Sequence, residues 1–289
     1  YLGVLMLHLP PRELDELLLD LAKFFSSTNS QVVGAVLHTL GVVLEHYDRY
    51  QSLFGTQESA AARDRRKYKI LSLIVRGFAN YDDAISQEAL WSIGMNLFGS
   101  AKLSLAEKYD LFCHCGKRIL TLYESQRENE LNFFHNAAVL KHLYRFICDY
   151  ELEIGVFVIQ DADKVAFFPG TFDPFTLSHK GIAHAIREMG FEVYLAVDEF
   201  SWSKKPQPHM IRRQIVNLSI AGDFHIHLFP NDIPVNLSNP RDLRRLRELF
   251  PGQEVYLVVG SDVVGHASAY QAAPVDWSVH SMDHIIFRR

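Results

Sequence analysis

The chain has 289 residues, 48% of them apolar, and a formal net charge of −5 with histidine neutral. That length gives room for about two domains with ordinary packed cores. The acidic balance, with no basic block, argues against a duplex-DNA footprint, and no apolar run approaches a membrane span.

The opening stretch YLGVLMLHLPP has no basic flank and soon meets two prolines. It reads as a core segment and not as a signal peptide. The cysteines are Cys113, Cys115 and Cys148, too few and too irregular for a disulfide framework. They suit a reducing, cytoplasmic compartment. The stretch CHCGK suggests a metal site, but Cys113 and Cys115 lie two apart in a helical pattern and no second pair follows.

Residues 12–150, within a predicted first domain of residues 1–155, show the helical period repeatedly. Apolar stripes run through Leu14, Leu17, Leu18, Leu21 and Phe25, and then through Val36, Leu40, Val43 and Tyr47. YKILSLIVRGF is a third candidate helix, and Ile85, Ala89, Ile93 and Leu97 mark a fourth. Phe112, Cys115, Ile119, Leu122 and Tyr123 mark a fifth, and Phe133, Ala137, Leu140, Tyr144 and Ile147 a sixth. Asn29, Ser30, Asp82 and Ser104 are cap-type residues at helix starts. Strand-like alternation is absent, so this half is predicted to be all-α, as helical hairpins stacked in a repeat or closed into a bundle.

Residues 156–289 change character. KVAFFPG, EVYLAVDE, FHIHLFP, EVYLVVGSD and HIIFRR read as strands. HKGIAHAIREMG, HMIRRQIVNLSIAG and NPRDLRRLRELFPG read as helices, the last with Asn239 as cap and Pro240 at its first position. Near-continuous apolar strands alternating with helices predict a parallel sheet covered on both faces, with ligands at the strand carboxyl ends.

Between the first strand and the first helix stands FPGTFDPFTLSH, residues 168–179. A loop entering a helix offers backbone N–H groups and the positive end of the helix dipole, which suits a phosphate. Gly170 permits close backbone approach to a ligand, and Pro174 stiffens the loop. Thr176 and His179, three apart at the helix start, can face one ligand. The plainer alternative is a strand–helix turn with a capping Thr and a buried His. The loop is neither a Walker loop nor a dinucleotide G-x-G-x-x-G.

GTFDPFTLSH resembles the first signature of the nucleotidyltransferase superfamily with an H/T-x-G-H motif. With VVGSD and the terminal HIIFRR, it is most similar to bacterial nicotinate mononucleotide adenylyltransferases, enzymes of NAD biosynthesis. The resemblance spans Lys164–Arg289 and implies a Rossmann-like nucleotidyltransferase domain behind the all-α half. It implies in-line attack of a small phosphorylated acceptor on the α-phosphate of ATP, with magnesium, release of pyrophosphate, and neither a covalent intermediate nor a protein general base.

It also implies roles. His179 and Thr176 contact the reacting phosphates, and Gly170, Thr171 and Phe172 form the backbone cradle. Gly260 and Asp262 help to hold the nucleotide. Lys204 or Lys205, with Arg212 or Arg213, matches a basic segment that meets phosphates, although a solvated charge run accounts for them equally well. Tyr270 and Trp277 are the aromatic candidates for acceptor binding, with Trp202 as a further substitute. Three features depart from the family pattern. Ser178 stands where the motif has Gly, Ala269 precedes Tyr270 where relatives have an aromatic pair, and the Ser/Thr-rich, Arg-containing segment expected after the last strand is missing from this sequence.

Pantetheine-phosphate and cytidylyl transfer remain alternatives, as does a catalytically weak nucleotide-binding module within a larger interaction protein. The helical half is then a partner-binding or regulatory scaffold. No nucleic-acid or membrane partner is expected. His225 and His227 alternate along a strand and could share a metal, but a polar edge-strand face is the plainer account.

Overall fold

The computed structural model describes residues 2–54, 58–125, 133–159, 161–198 and 205–288. The chain divides into two compact units, Tyr1–Ile159 and Gln160–Arg289, just beyond the change of pattern at 155/156.

Every described element of the first unit is helical. The α-helices are α1 (Leu2–Met6), α2 (Pro11–Lys23), α3 (Ser30–Phe54), α4 (Ala60–Phe78), α5 (Asp83–Trp91), α6 (Leu105–Ser125) and α7 (Phe133–Glu153). The opening apolar segment forms α1 and buries Met6 and Leu7. The stripes Leu14–Leu18–Leu21 and Val36–Leu40–Val43–Tyr47 point inward, as their helical spacing requires. So do Ile85, Ala89, Ile93 and Leu97, although the last two lie in a wider π-helical turn, Ser92–Phe98, that continues α5. Caps close the helix starts. Asp82 Oδ1 accepts from the Ala84 amide at 2.9 Å, and the Ser104 amide donates to Glu107 Oε2 at 2.7 Å.

The second unit alternates strands and helices: β1 (Lys164–Gly170), α8 (Leu177–Glu188), β2 (Phe191–Val197), α9 (His209–Ser219), β3 (Ile226–Leu228), α10 (Pro240–Glu248), β4 (Glu254–Gly260), α11 (Ser261–His266), α12 (Ser268–Gln271) and β5 (Asp283–Phe287). The five strands pair in parallel in the order β3-β2-β1-β4-β5. This is an α/β sheet of the doubly wound kind. The chain runs outward from β1 to β3 and then returns to the other side of β1.

Side chains of successive strand residues go to opposite faces. Ala166, Phe168, Val193, Leu195 and Val258 pack against Ala183 and Ile186 of α8 and Val216 of α9. Val165, Phe167, Val255 and Leu257 pack against Leu243 and Leu246 of α10, with Val279 and Met282. Burial on both faces explains why these strands read as continuous apolar runs. Helix α10 begins as expected, with Asn239 Oδ1 accepting from the Arg241 amide at 3.1 Å and Pro240 at its first position.

The possible metal pair on β3 does not assemble. His225 lies before the strand, exposed, with φ +62°, whereas His227 is buried and its Nε2 lies 2.9 Å from Glu192 Oε1. The positive φ at His225 breaks the alternation on which a shared face depended.

Candidate functional site

A cavity of about 1030 Å³ opens at the carboxyl ends of β1 and β4, where the strand order reverses. Its floor is the β1 end and the loop through Pro174. The starts of α8 and α9 and the β2 end form one side, and the 229–238 segment and residues from Val258 to Tyr270 form the other. Among the predicted residues, Gly170, Thr171, Phe172, Thr176, His179, Arg213, Gly260, Asp262 and Tyr270 all line it.

The loop into α8 is locally determined. Thr176 is the N-cap, and its Oγ1 accepts from the His179 amide at 3.5 Å. In return His179 Nδ1 accepts from the Thr176 amide at 3.1 Å, an imidazole in the place that Glu usually takes in a capping box. Because Nδ1 is the acceptor, the neutral ring carries its proton on Nε2. Phe175 stacks on the imidazole at 5.8 Å and Phe172 meets it edge-on at 5.3 Å. The ring is thus clamped at the positive end of the α8 dipole, on the cavity wall.

Phe172 holds a positive φ of 45°, a strained geometry for a bulky residue. Burial offsets that cost, since Phe172 packs edge-on against Phe168 and Phe175 at 5.5 and 5.3 Å. Gly170 has a packing role as well as a place on the cavity lining. A Cβ there would lie 2.9 Å from the Phe172 ring, so the missing side chain makes room for Phe172. Gly260 is constrained in a similar way, because a Cβ would lie 2.4 Å from Asp262 Oδ1.

The basic residues divide. Arg212 is 1% exposed and does not line the cavity. Its Nε donates to Gln207 O at 2.8 Å, Nη1 to Thr171 O at 2.5 Å and Nη2 to Asp198 O at 2.9 Å. It ties together the three backbone segments that shape the cavity rim, a role different from the phosphate contact expected of it. Arg213 does line the cavity, with Nη1 donating to Phe229 O at 2.9 Å. Burial lowers its pKa, while Asp232 acts in the opposite direction. Lys205 is exposed and outside the lining. Lys204 and Trp202 lie outside the described residues.

The aromatic candidates divide too. Tyr270 lines the cavity with its hydroxyl 2.8 Å from His284 Nε2, and burial pushes its pKa up to about 12. Trp277 does not line it. The indole lies under Arg244 and Arg247 of α10, 5.9 and 5.8 Å from their guanidinium carbons, which removes it as an acceptor-binding candidate.

Four carboxylates face this space among the described residues: Asp173, Asp198, Asp242 and Asp262. Asp173 Oδ2 accepts from the Gln207 amide at 3.0 Å. Asp242 fastens the 229–238 wall by accepting from the Asn236 amide and from Asn239 Nδ2, both at 3.0 Å. Asp198 differs. Burial raises its pKa to about 6, against the opposing pull of Arg212. The sequence reading missed Asp198, His209 and the 229–238 wall. For Asp198 there was a signal, an acid at the carboxyl end of a predicted strand. For the wall, FPNDIPVNLSN carries turn residues and no catalytic pattern.

Among the described residues no group of three or more His, Cys, Asp or Glu side chains is placed to hold a metal ion. Asp173 and Asp262 on the lining could each supply one oxygen ligand to a magnesium ion that took its other ligands from a bound molecule or water. No protein-family model and no curated protein matches this chain. No described helix is long and apolar enough to cross a membrane.

Proposed function

We propose that the second unit is a Rossmann-like nucleotidyltransferase that moves an adenylyl group from ATP to a small phosphorylated acceptor such as nicotinate mononucleotide, releasing pyrophosphate. One observation carries this reading. Thr176 and His179 cap each other at the amino end of α8, inside a large cavity at the switch point of a parallel sheet.

Amides at the α8 start meet phosphate oxygens along the dipole axis. His179 donates from Nε2 to a non-bridging oxygen of the α-phosphate, where negative charge builds as the acceptor phosphate attacks in line. Its clamped ring needs no reorganisation for this. Thr176 fixes the tautomer. Arg213 meets the departing pyrophosphate, and Gly260 and Asp262 hold the nucleoside. Tyr270 presents an aromatic face to the acceptor. Magnesium, bound with ATP, supplies charge neutralisation among the phosphates, which the carboxylate-rich lining makes necessary. No protein base is required, because an acceptor phosphate is already ionised at neutral pH. The first unit is a helical bundle or repeat that serves as a scaffold or regulatory surface for a protein partner, and the protein works in the cytoplasm.

A second reading has its own support. Ser178 lines the cavity where the motif has Gly, and four carboxylates face one described guanidinium. That composition suits a nucleotide-binding module with weak catalysis. The separating experiment is a pyrophosphate-release assay with ATP or CTP, magnesium and a panel of pyridine, pantetheine and polyol phosphates. Release with one acceptor supports the transferase. Tight ATP binding without release, for every acceptor, supports the module.

A further inference from the structure

We infer that the Asp198 carboxylate is a substrate-binding group that accepts hydrogen bonds from a vicinal diol, the ribose or polyol part of a phosphorylated substrate. This rests on the phosphate site proposed at Thr176 and His179. Asp198 stands at the carboxyl end of β2 on the cavity wall, beside the strand that feeds the phosphate loop.

Its backbone is fixed twice. The Asp198 amide donates to Gly170 O at 3.0 Å, and its carbonyl accepts from Arg212 Nη2 at 2.9 Å. No hydrogen bond reaches its carboxylate oxygens from the described residues, whereas Asp173 and Asp242 each spend theirs on neighbouring amides. A rigidly held, partly buried carboxylate with acceptor capacity to spare needs a donor. The raised pKa agrees, since burial without a partner is what raises it.

Charge restricts the donor. An anionic group would be repelled by Asp198 itself. A cationic group would meet the field of Arg212, whose guanidinium is bound to the Asp198 carbonyl, and of Arg213 on the same wall. A neutral donor avoids both penalties. Two adjacent hydroxyls match the two oxygens of one carboxylate, and a phosphorylated sugar or polyol carries such a pair at short reach from its phosphate.

The diol belongs either to the nucleotide or to the acceptor, and two ligand pairs separate the sources. Full-length wild-type chain, Asp198→Asn, Asp198→Ala and His179→Ala are titrated by calorimetry with magnesium. The ligands are ATP, 2′,3′-dideoxy-ATP, ribose 5-phosphate and 1,2-dideoxyribose 5-phosphate. Hydrogen bonds to a charged acceptor predict that wild type prefers one hydroxylated ligand over its deoxy partner by about tenfold or more. Asp198→Ala erases that preference, and Asp198→Asn reduces it. Loss of discrimination in the ATP pair assigns the nucleotide ribose, and loss in the ribose phosphate pair assigns the acceptor. Equal discrimination in wild type and Asp198→Ala overturns the inference, while weaker binding by His179→Ala in the same series keeps the phosphate site. Failure of wild type to bind any of the four overturns both.

Discussion

Replacing Arg212 by Met tests whether this arginine builds the site or binds the substrate. The guanidinium is 1% exposed and, among the described residues, donates hydrogen bonds to the carbonyls of Gln207, Thr171 and Asp198. Each bond to a charged donor is worth roughly 1.5–3 kcal/mol. Removing the buried charge gives back part of that sum through its desolvation penalty, so the net loss is about 3 kcal/mol. In a unit of this size each kcal/mol lowers Tm by about 4 °C, which predicts a fall of roughly 12 °C. Differential scanning calorimetry of the full chain should show the transition of the second unit move down. Hydrogen exchange read by mass spectrometry should show faster exchange in peptides covering 164–198 and not in those covering 30–98. Arg213→Met should instead melt close to the parent and weaken nucleotide binding. An Arg212→Met protein that melts within about 4 °C of the parent yet loses nucleotide binding would refute the assignment and restore Arg212 as a ligand contact.

Other perturbations follow the same geometry. Gly170→Ala places a Cβ 2.9 Å from the Phe172 ring, which is itself backed by Phe168 and Phe175, so urea denaturation should show a loss of about 1–3 kcal/mol. Thr176→Val removes the cap of α8 and should cost about 1 kcal/mol, with Thr176→Ser restoring it; ligand titration should weaken beyond what stability explains, because His179 Nδ1 loses the Thr176 hydroxyl 2.9 Å away and keeps only the backbone amide. Asp198→Asn has a pH signature. The folded pKa of about 6 lies above the unfolded value of 3.8, so the carboxyl opposes folding increasingly as pH rises from about 4 to 6 and fully above that. The Asn variant should therefore match the parent near pH 3.5 and exceed it at pH 7 by up to about 3 kcal/mol, measured by denaturation at both pH values. An advantage that is the same at both would contradict the raised pKa.

Much of this was legible in the chain. The alternation of apolar strands with capped helices gave the parallel sheet because both faces are covered, and the loop at residues 168–179 fell at a strand carboxyl end as such sheets require. The choice between Arg212 and Arg213 was readable but not read. Arg212, Val216 and Ile220 form an i, i+4, i+8 stripe, and all three are buried, so helical spacing alone places Arg212 on the inner face. The packing role of Gly170 was hidden, because a glycine needed for packing and one needed for ligand approach look alike until the neighbouring ring is placed. Trp277 was beyond sequence reasoning, since its partners Arg244 and Arg247 come from a helix some thirty residues earlier. The wall at 229–238 was equally hidden, because its closure depends on Asp242 reaching back to Asn236.

The central claim is that a triphosphate sits at the amino end of α8, held by His179. Isothermal titration calorimetry of the full chain with a non-hydrolysable ATP analogue and magnesium, beside His179→Ala, tests it most directly. Binding by the wild type that weakens about tenfold or more in the variant, with a melting temperature lowered by no more than about 4 °C, is the result expected. Equal binding by both proteins, or none by the wild type, would contradict it.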